Sequence, residues 1–224
     1  MFMLLLMIGT SVFAKPMAKL PTAFIPSEYI IFSQTQGDLN KDGQSDYVFI
    51  IKGTNKKNVV MHDYRGELDR NPRGIIIAFK KGNEYELVLD KRNSFSSENE
   101  DGGVYFAPEL DVSIEKGNLV VHYAHGRYGY WRYIFRYQQS DFELIGYDSS
   151  QNRGPVIETM TSINFMTKKM VISENMNQYS DKEESGDEKF KDAWKKFTLQ
   201  KRIKLRDIAF FDDFDVYSLV ERGK

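Results

Sequence analysis

From residue 25 onward, apolar positions recur with a period of two. Runs such as Tyr47-Val48-Phe49-Ile50-Ile51, Ile75-Ile76-Ile77-Ala78-Phe79, Tyr85-Glu86-Leu87-Val88-Leu89, Leu119-Val120-Val121 and Tyr133-Ile134-Phe135 are short and rich in β-branched and aromatic residues. Such runs suit a pleated, half-buried surface. Hairpin turns are predicted at Lys80-Lys81-Gly82-Asn83, Glu115-Lys116-Gly117-Asn118, Gln138-Gln139-Ser140-Asp141 and Thr167-Lys168-Lys169, where glycine supplies the positive φ of a tight turn. With Gln139 and Ser140 at the turn, Arg136 should face Glu143, Phe135 should face Leu144, and Ile134 should face Ile145. The pattern predicts a mainly β protein, an antiparallel meander of hairpins forming a sheet or a sandwich, with at most one or two short helices. The hairpins recur roughly every 30 residues, so a partial propeller-like arrangement stays open; at about 40–45 residues per blade the chain has room for only four or five.

Two stretches break the period. Phe190, Trp194 and Phe197 are spaced for one face of a short amphipathic helix over residues 188–197. Asp181-Lys182-Glu183-Glu184-Ser185-Gly186-Asp187-Glu188 is charged and aperiodic, and reads as a mobile loop. The late strip Ile208-Ala209-Phe210-Phe211 is expected to close the fold as a strand. At the other end, residues 1–14 carry no charged side chain, and Val12-x-Ala14 matches the small-residue pattern before a signal-peptidase cut. That run is too short for a membrane-spanning helix of about 20 residues. Residues 1–14 are therefore expected to be a signal peptide, and 15–224 one exported β-rich domain, periplasmic or secreted, with no transmembrane segment after cleavage.

Composition narrows the classes. The 224 residues contain 31 basic and 32 acidic side chains, for a net charge of −1, and 41% hydrophobic residues. A near-neutral chain lacks the basic surface of a nucleic-acid binder, and its apolar content is that of a folded protein. There is no cysteine, which removes disulfides, zinc–thiolate sites and thiol nucleophiles. A chain of this size needs no staple to hold a core, and a monomer is expected.

One segment carries specific chemistry. In Gly37-Asp38-Leu39-Asn40-Lys41-Asp42-Gly43-Gln44-Ser45-Asp46, counted from Asp38, side-chain oxygens fall at positions one, three, five and nine, with glycine at six. Calcium takes six to eight hard oxygens, and such alternation lets them converge while Gln44 offers its backbone carbonyl at seven. Phe49 stands where an EF-hand places its bidentate glutamate, and a strand follows instead of a helix. Water or a remote acid must complete the shell, so binding is expected on the order of 10⁻⁴–10⁻³ M, suited to a structural ion. The candidate ligands are Asp38, Asn40, Asp42, Gln44 and Asp46. A metal-free Asx-turn loop is the plainer alternative.

These residues, together with Ile25-Pro26-Ser27-Glu28-Tyr29-Ile30-Ile31 before them and Asp46-Tyr47-Val48-Phe49 after, resemble exported bacterial proteins with an FG-GAP/VCBS-type, integrin-like calcium loop. Asp101-Gly102-Gly103, Ile114-Glu115-Lys116-Gly117-Asn118-Leu119 and Phe135-Arg136-Tyr137-Gln138 with Asp141-Phe142 are similar to the same group, in pieces over roughly residues 25 to 148. The resemblance implies calcium ligation by Asp38, Asn40, Asp42, Gln44 and Asp46, and implies no activity.

Catalytic signatures are absent. The three histidines are His62, His122 and His125; the last two would face opposite ways on a strand, which does not suit a shared metal or base role. No Gly-x-Ser-x-Gly elbow or phosphate loop occurs, and Glu98, Glu100, Asp101, Asp212, Asp213 and Asp215 offer carboxylates whose spacing a sequence cannot give. Arg127-Tyr128-Gly129-Tyr130-Trp131-Arg132-Tyr133 mixes aromatic and arginine side chains that suit a protein or glycan partner. On a strand Trp131, Tyr133, Phe135 and Tyr137 share one face, which is expected to be core, leaving Arg127, Tyr128, Tyr130 and Arg132 as partner-binding candidates. The reading is an exported, non-enzymatic binding module with a structural calcium loop. Its rivals are an exported hydrolase of the carboxylate-pair glycosidase type and a periplasmic inhibitor or immunity protein.

Overall fold

A computed structural model describes residues 15–99, 109–179, 188–199 and 201–222. The expected signal peptide at 1–14, the charged loop at 181–187, and Glu100 to Gly103 lie outside the described residues. The fold is mainly β, with antiparallel meander sheets and, among the described residues, no helix of seven or more residues. A five-stranded sheet is built from β1 (Met17–Ala18), β2 (Tyr29–Gly37), β3 (Asp46–Gly53), β6 (Arg73–Lys81) and β7 (Glu84–Phe95), in the order β1-β7-β6-β3-β2. Between β3 and β6 a separate hairpin forms from β4 (Val59–His62) and β5 (Gly66–Asp69).

The second sheet is a continuous meander of eight strands. It runs through β8 (Glu109–Glu115), β9 (Asn118–Ala124), β10 (Gly129–Gln138), β11 (Asp141–Arg153), β12 (Val156–Asn164), β13 (Lys169–Asn175), β14 (Phe190–Thr198) and β15 (Glu221–Arg222), each paired with its chain neighbour. One continuous sheet of eight strands beside one of five is not a set of separate four-stranded propeller blades. All the expected hairpins form. At the β10–β11 turn, Gln139 (φ 52°) and Ser140 (φ 62°) both take positive φ, the backbone a two-residue turn needs to match strand twist.

The expected register holds for Arg136 opposite Glu143 and Phe135 opposite Leu144, then slips: Ile134 faces Gly146, not Ile145. A bulge inserts Ile145 as an extra residue. A side chain at position 146 would sit 3.2 Å from Ile134 Cδ1, so the glycine makes room for the partner that the bulge delivers.

One core fills the space between the sheets, drawing Val48, Ile50, Ile75, Ile77, Val121, Tyr133, Phe135 and Ile163 from facing strands. β3 is buried on both faces, because Phe49, Ile51 and Ile76 pack outward against Phe24, Ile25 and Tyr29 of the entering chain. This is why β3 reads as an unbroken apolar run rather than an alternating one. Two expectations are corrected. Residues 188–197 are not a helix: β14 pairs with β13 from Lys169 opposite Lys196 to Asn175 opposite Phe190, and only Phe197 is buried. The helical spacing lost to the hydrogen bonds offered by the open edge of β13, which no local pattern reveals. The strip Ile208-Ala209-Phe210-Phe211 forms no strand; Ile208 and Phe211 are buried as part of an irregular strap, and the closing strand is β15.

Candidate functional site

The acidic loop joins β2 to β3. Lys41 (φ 65°) and Gly43 (φ 83°) lie in the left-handed region, which curls the backbone so that side-chain oxygens meet main-chain N–H groups. Asp38 Oδ1 accepts from Asp42 N (3.1 Å) and its Oδ2 from Gly43 N (2.9 Å). Asn40 Oδ1 accepts from Asp42 N (2.9 Å), and Asp42 Oδ1 from Gln44 N (2.9 Å). Asp38, Asn40 and Asp42 are thus gathered around one arc of backbone. The Gln44 N–H bond chiefly holds the Asp42 carboxyl below its usual range, and Asn40 and the Lys81 ammonium (3.3 Å) add to this against a small burial cost.

Asp46 is placed differently. It is fully buried, with Oδ2 accepting from Leu39 N (2.9 Å) and Oδ1 from Lys80 N on β6 (3.0 Å). Burial pushes its carboxyl up, against the pull of those N–H bonds. Leu39 itself is 1% exposed and inserts into the core between the sheets. Beside it, a side chain at Gly37 would come 2.9 Å from Ile114 Cγ2 on β8, so glycine lets the edges of the two sheets close at the loop. The loop is therefore a seam as well as a cradle.

As a calcium site the donors are of the right kind, hard oxygens with spare lone pairs beyond those taken by N–H groups. Among the described residues, no three His, Asp or Glu side chains form a group placed to hold a metal ion. A cation held here would need the Asn40 amide and a backbone carbonyl besides the carboxylates.

The partner-binding candidates lie on the outer face of the eight-stranded sheet and on the short 3-10 turn Gly126–Tyr128. Tyr128 is 53% exposed. Tyr130 leans on His122 (ring centroids 5.3 Å apart). Arg132 is held by Glu115 Oε2 (2.6 Å) and Asp148 Oδ2 (3.4 Å), so its fork is already engaged. Trp131 points inward, stacked on Tyr123 (4.6 Å, 5°) and Phe211 (5.9 Å, 10°), which confirms the expected core face. His122 packs against Tyr130, whereas His125, one residue past the end of β9, lies on the Trp131 side. His125 lies against Tyr123 (5.4 Å), and burial pushes its imidazole down against the attraction of Asp212.

Three of the candidate carboxylates each have their own partner. Asp212 accepts from Ser96 Oγ, Asp215 accepts from Tyr217 N (2.9 Å), and Glu98 meets Lys52 Nζ (2.6 Å). Sequence reasoning missed three features. Arg73, 1% exposed, lies at the start of β6 and has no carboxylate in contact among the described residues. Asp141 and Glu143 are buried carboxylates met by Arg202, Lys204 and Arg206; the alternation Arg202-Ile203-Lys204-Leu205-Arg206 was the signal available. The third is a pocket rich in asparagine at the far end of β3. Comparison of the chain with protein-family models, with curated proteins and with solved structures found no match.

Proposed function

We propose that this is an exported, non-enzymatic binding module whose 38–46 loop is braced by a structural calcium ion. The observation that carries the reading is the loop itself: Asp38, Asn40 and Asp42 turn their oxygens onto one arc of backbone, while Leu39 seats the loop in the core. Asp38, Asn40, Asp42, Asp46 and the Gln44 carbonyl would hold the ion, which would supply only charge neutralisation and local rigidity. The face carrying Arg127, Tyr128, Tyr130 and Arg132 is assigned to a protein or glycan partner, because it combines an exposed ring with oriented arginine. His122 and His125 pack against different rings, Tyr130 and Trp131, which favours this reading over a hydrolase that shares them.

Calcium titration read by thermal melting tests it. At calcium about tenfold above Kd, linkage predicts stabilisation of about 1.4 kcal/mol, and Asp42→Ala should abolish the response. Melting that is the same in calcium and in chelator for the parent protein sinks the brace.

A further inference from the structure

At the end of β3 opposite the acidic loop, the structure forms a pocket of about 480 Å³ between β2, β3 and the β3–β4 connection. We infer that this pocket binds a neutral sugar of mono- to disaccharide size. The site is distinct from the 38–46 loop and from the Arg127 face, and the inference rests on the broader reading of the chain as a binding module.

The floor is built and rigid. Asn71 is 1% exposed and spends all of its amide: Oδ1 accepts from Asn55 N (2.9 Å) and Asn58 Nδ2 (3.1 Å), while Nδ2 donates to Asn55 O (3.1 Å) and Asp69 Oδ1 (2.7 Å). Asn71 is therefore a positioning residue that fixes Asn55 and Asn58. On the opposite wall, Tyr29 OH donates to Asn93 Oδ1 (3.3 Å). Pre-set walls lower the ordering cost of binding.

The lining residues keep hydrogen-bonding capacity of both kinds. Within the described structure, the Nδ2 groups of Asn55 and Asn93 have no acceptor and Asn58 Oδ1 has no donor. Thr54 Oγ1 donates to Glu28 O (3.0 Å) and can still accept. A phosphate or carboxylate ligand has nothing to donate to Asn58 or Glu28, and an ammonium has nothing to accept from Asn55 or Asn93. A sugar hydroxyl both donates and accepts, so a polyol satisfies the whole set. Glu28 is the sole carboxylate among the lining residues. Glycoside cleavage ordinarily needs a pair, so the pocket holds its ligand without cutting it.

The test is a glycan array of neutral and acidic oligosaccharides probed with the full chain, followed by calorimetric titration of the strongest neutral glycan. Retention of a neutral glycan is expected, with Asn93→Ala and Asn55→Ala each weakening it roughly three- to tenfold; because Asn55 Oδ1 also caps Lys57 N (3.0 Å), both affinities are read well below the melting temperature of each variant. Retention of acidic glycans alone, no retention at all, or affinity untouched by both substitutions overturns the inference. Cleavage of the bound neutral glycan supports the ligand class and overturns the non-enzymatic reading, whereas a negative array beside an intact calcium response removes the sugar pocket alone.

Discussion

The guanidinium of Arg73 is joined to the carboxylate of Asp212 through two hydroxyls. Arg73 NH2 donates to Tyr123 OH (3.2 Å), Tyr123 OH lies 2.9 Å from Ser96 Oγ, and Ser96 Oγ donates to Asp212. With Ser96 donating onward, the chain runs in one direction from cation to anion, the arrangement in which each bond polarises the next. It ties β6 and the segment after β7 to β9 and the C-terminal strap, where both sheets meet. Arg73 also lies over the Phe32 ring (5.1 Å) and donates from Nε to Ser96 O (2.8 Å), so a charge buried without a carboxylate contact is neutralised at a distance.

Breaking that chain in the middle should cost stability. Tyr123→Phe removes the acceptor for Arg73 and is expected to destabilise by about 1–3 kcal/mol, the cost of an unsatisfied buried donor. Ser96→Ala should cost less, and the pair should couple by at least about 0.5 kcal/mol in a double-mutant cycle. Urea unfolding measures all three; strictly additive losses would mean that the hydroxyls act separately.

His125 sets an acid sensitivity. Burial lowers its pKa in the folded protein from the ordinary 6.5, so the unfolded chain takes up a proton first as pH falls. Stability from this group is complete above about 6.5 and declines below it, until the folded imidazole also protonates. Melting temperature between pH 7.5 and 5 should fall more steeply in the parent than in His125→Phe. Parallel curves would exclude the group as the source.

The strap depends on its cations. Asp141 and Glu143 are 4% and 3% exposed and are met by Arg206 Nε (2.7 Å), Lys204 Nζ (3.3 Å) and Arg202 NH1 (2.9 Å). Replacing all three cations with glutamine strands two buried carboxylates. The expected loss is about 2 kcal/mol, below that of fully buried pairs because the basic groups are partly in water. Hydrogen exchange at the Leu144 amide, bonded to Ile203 O (2.8 Å), should accelerate, and adding Asp141→Asn with Glu143→Gln should restore it.

The two tryptophans should report separately. Trp194 on β14 is 68% exposed, whereas Trp131 is stacked between Tyr123 and Phe211. Iodide should quench a red-shifted component that disappears in Trp194→Phe. Quenching that survives this substitution would mean that iodide reaches Trp131, against its stacked position.

Period-two patterning and turn residues were enough to determine the β class, the hairpins and the inward face of β10, because side-chain alternation and positive-φ turns act over a few neighbours. The acidic loop was legible for the same reason: its oxygens and its glycine lie within nine consecutive residues. What only tertiary structure decided depends on partners distant in the chain. Whether Phe190 to Thr198 is strand or helix was settled by the edge of β13, and the seating of Leu39 by a sheet that begins at Glu109. The Arg73–Asp212 chain spans residues far apart in sequence, and Asn71, Asn55 and Asn93 face one pocket only because β3 ends between β2 and the start of β6, with β7 on the far side of β6. Burial makes such polar groups informative, and burial is a property of the whole fold that no local sequence window contains.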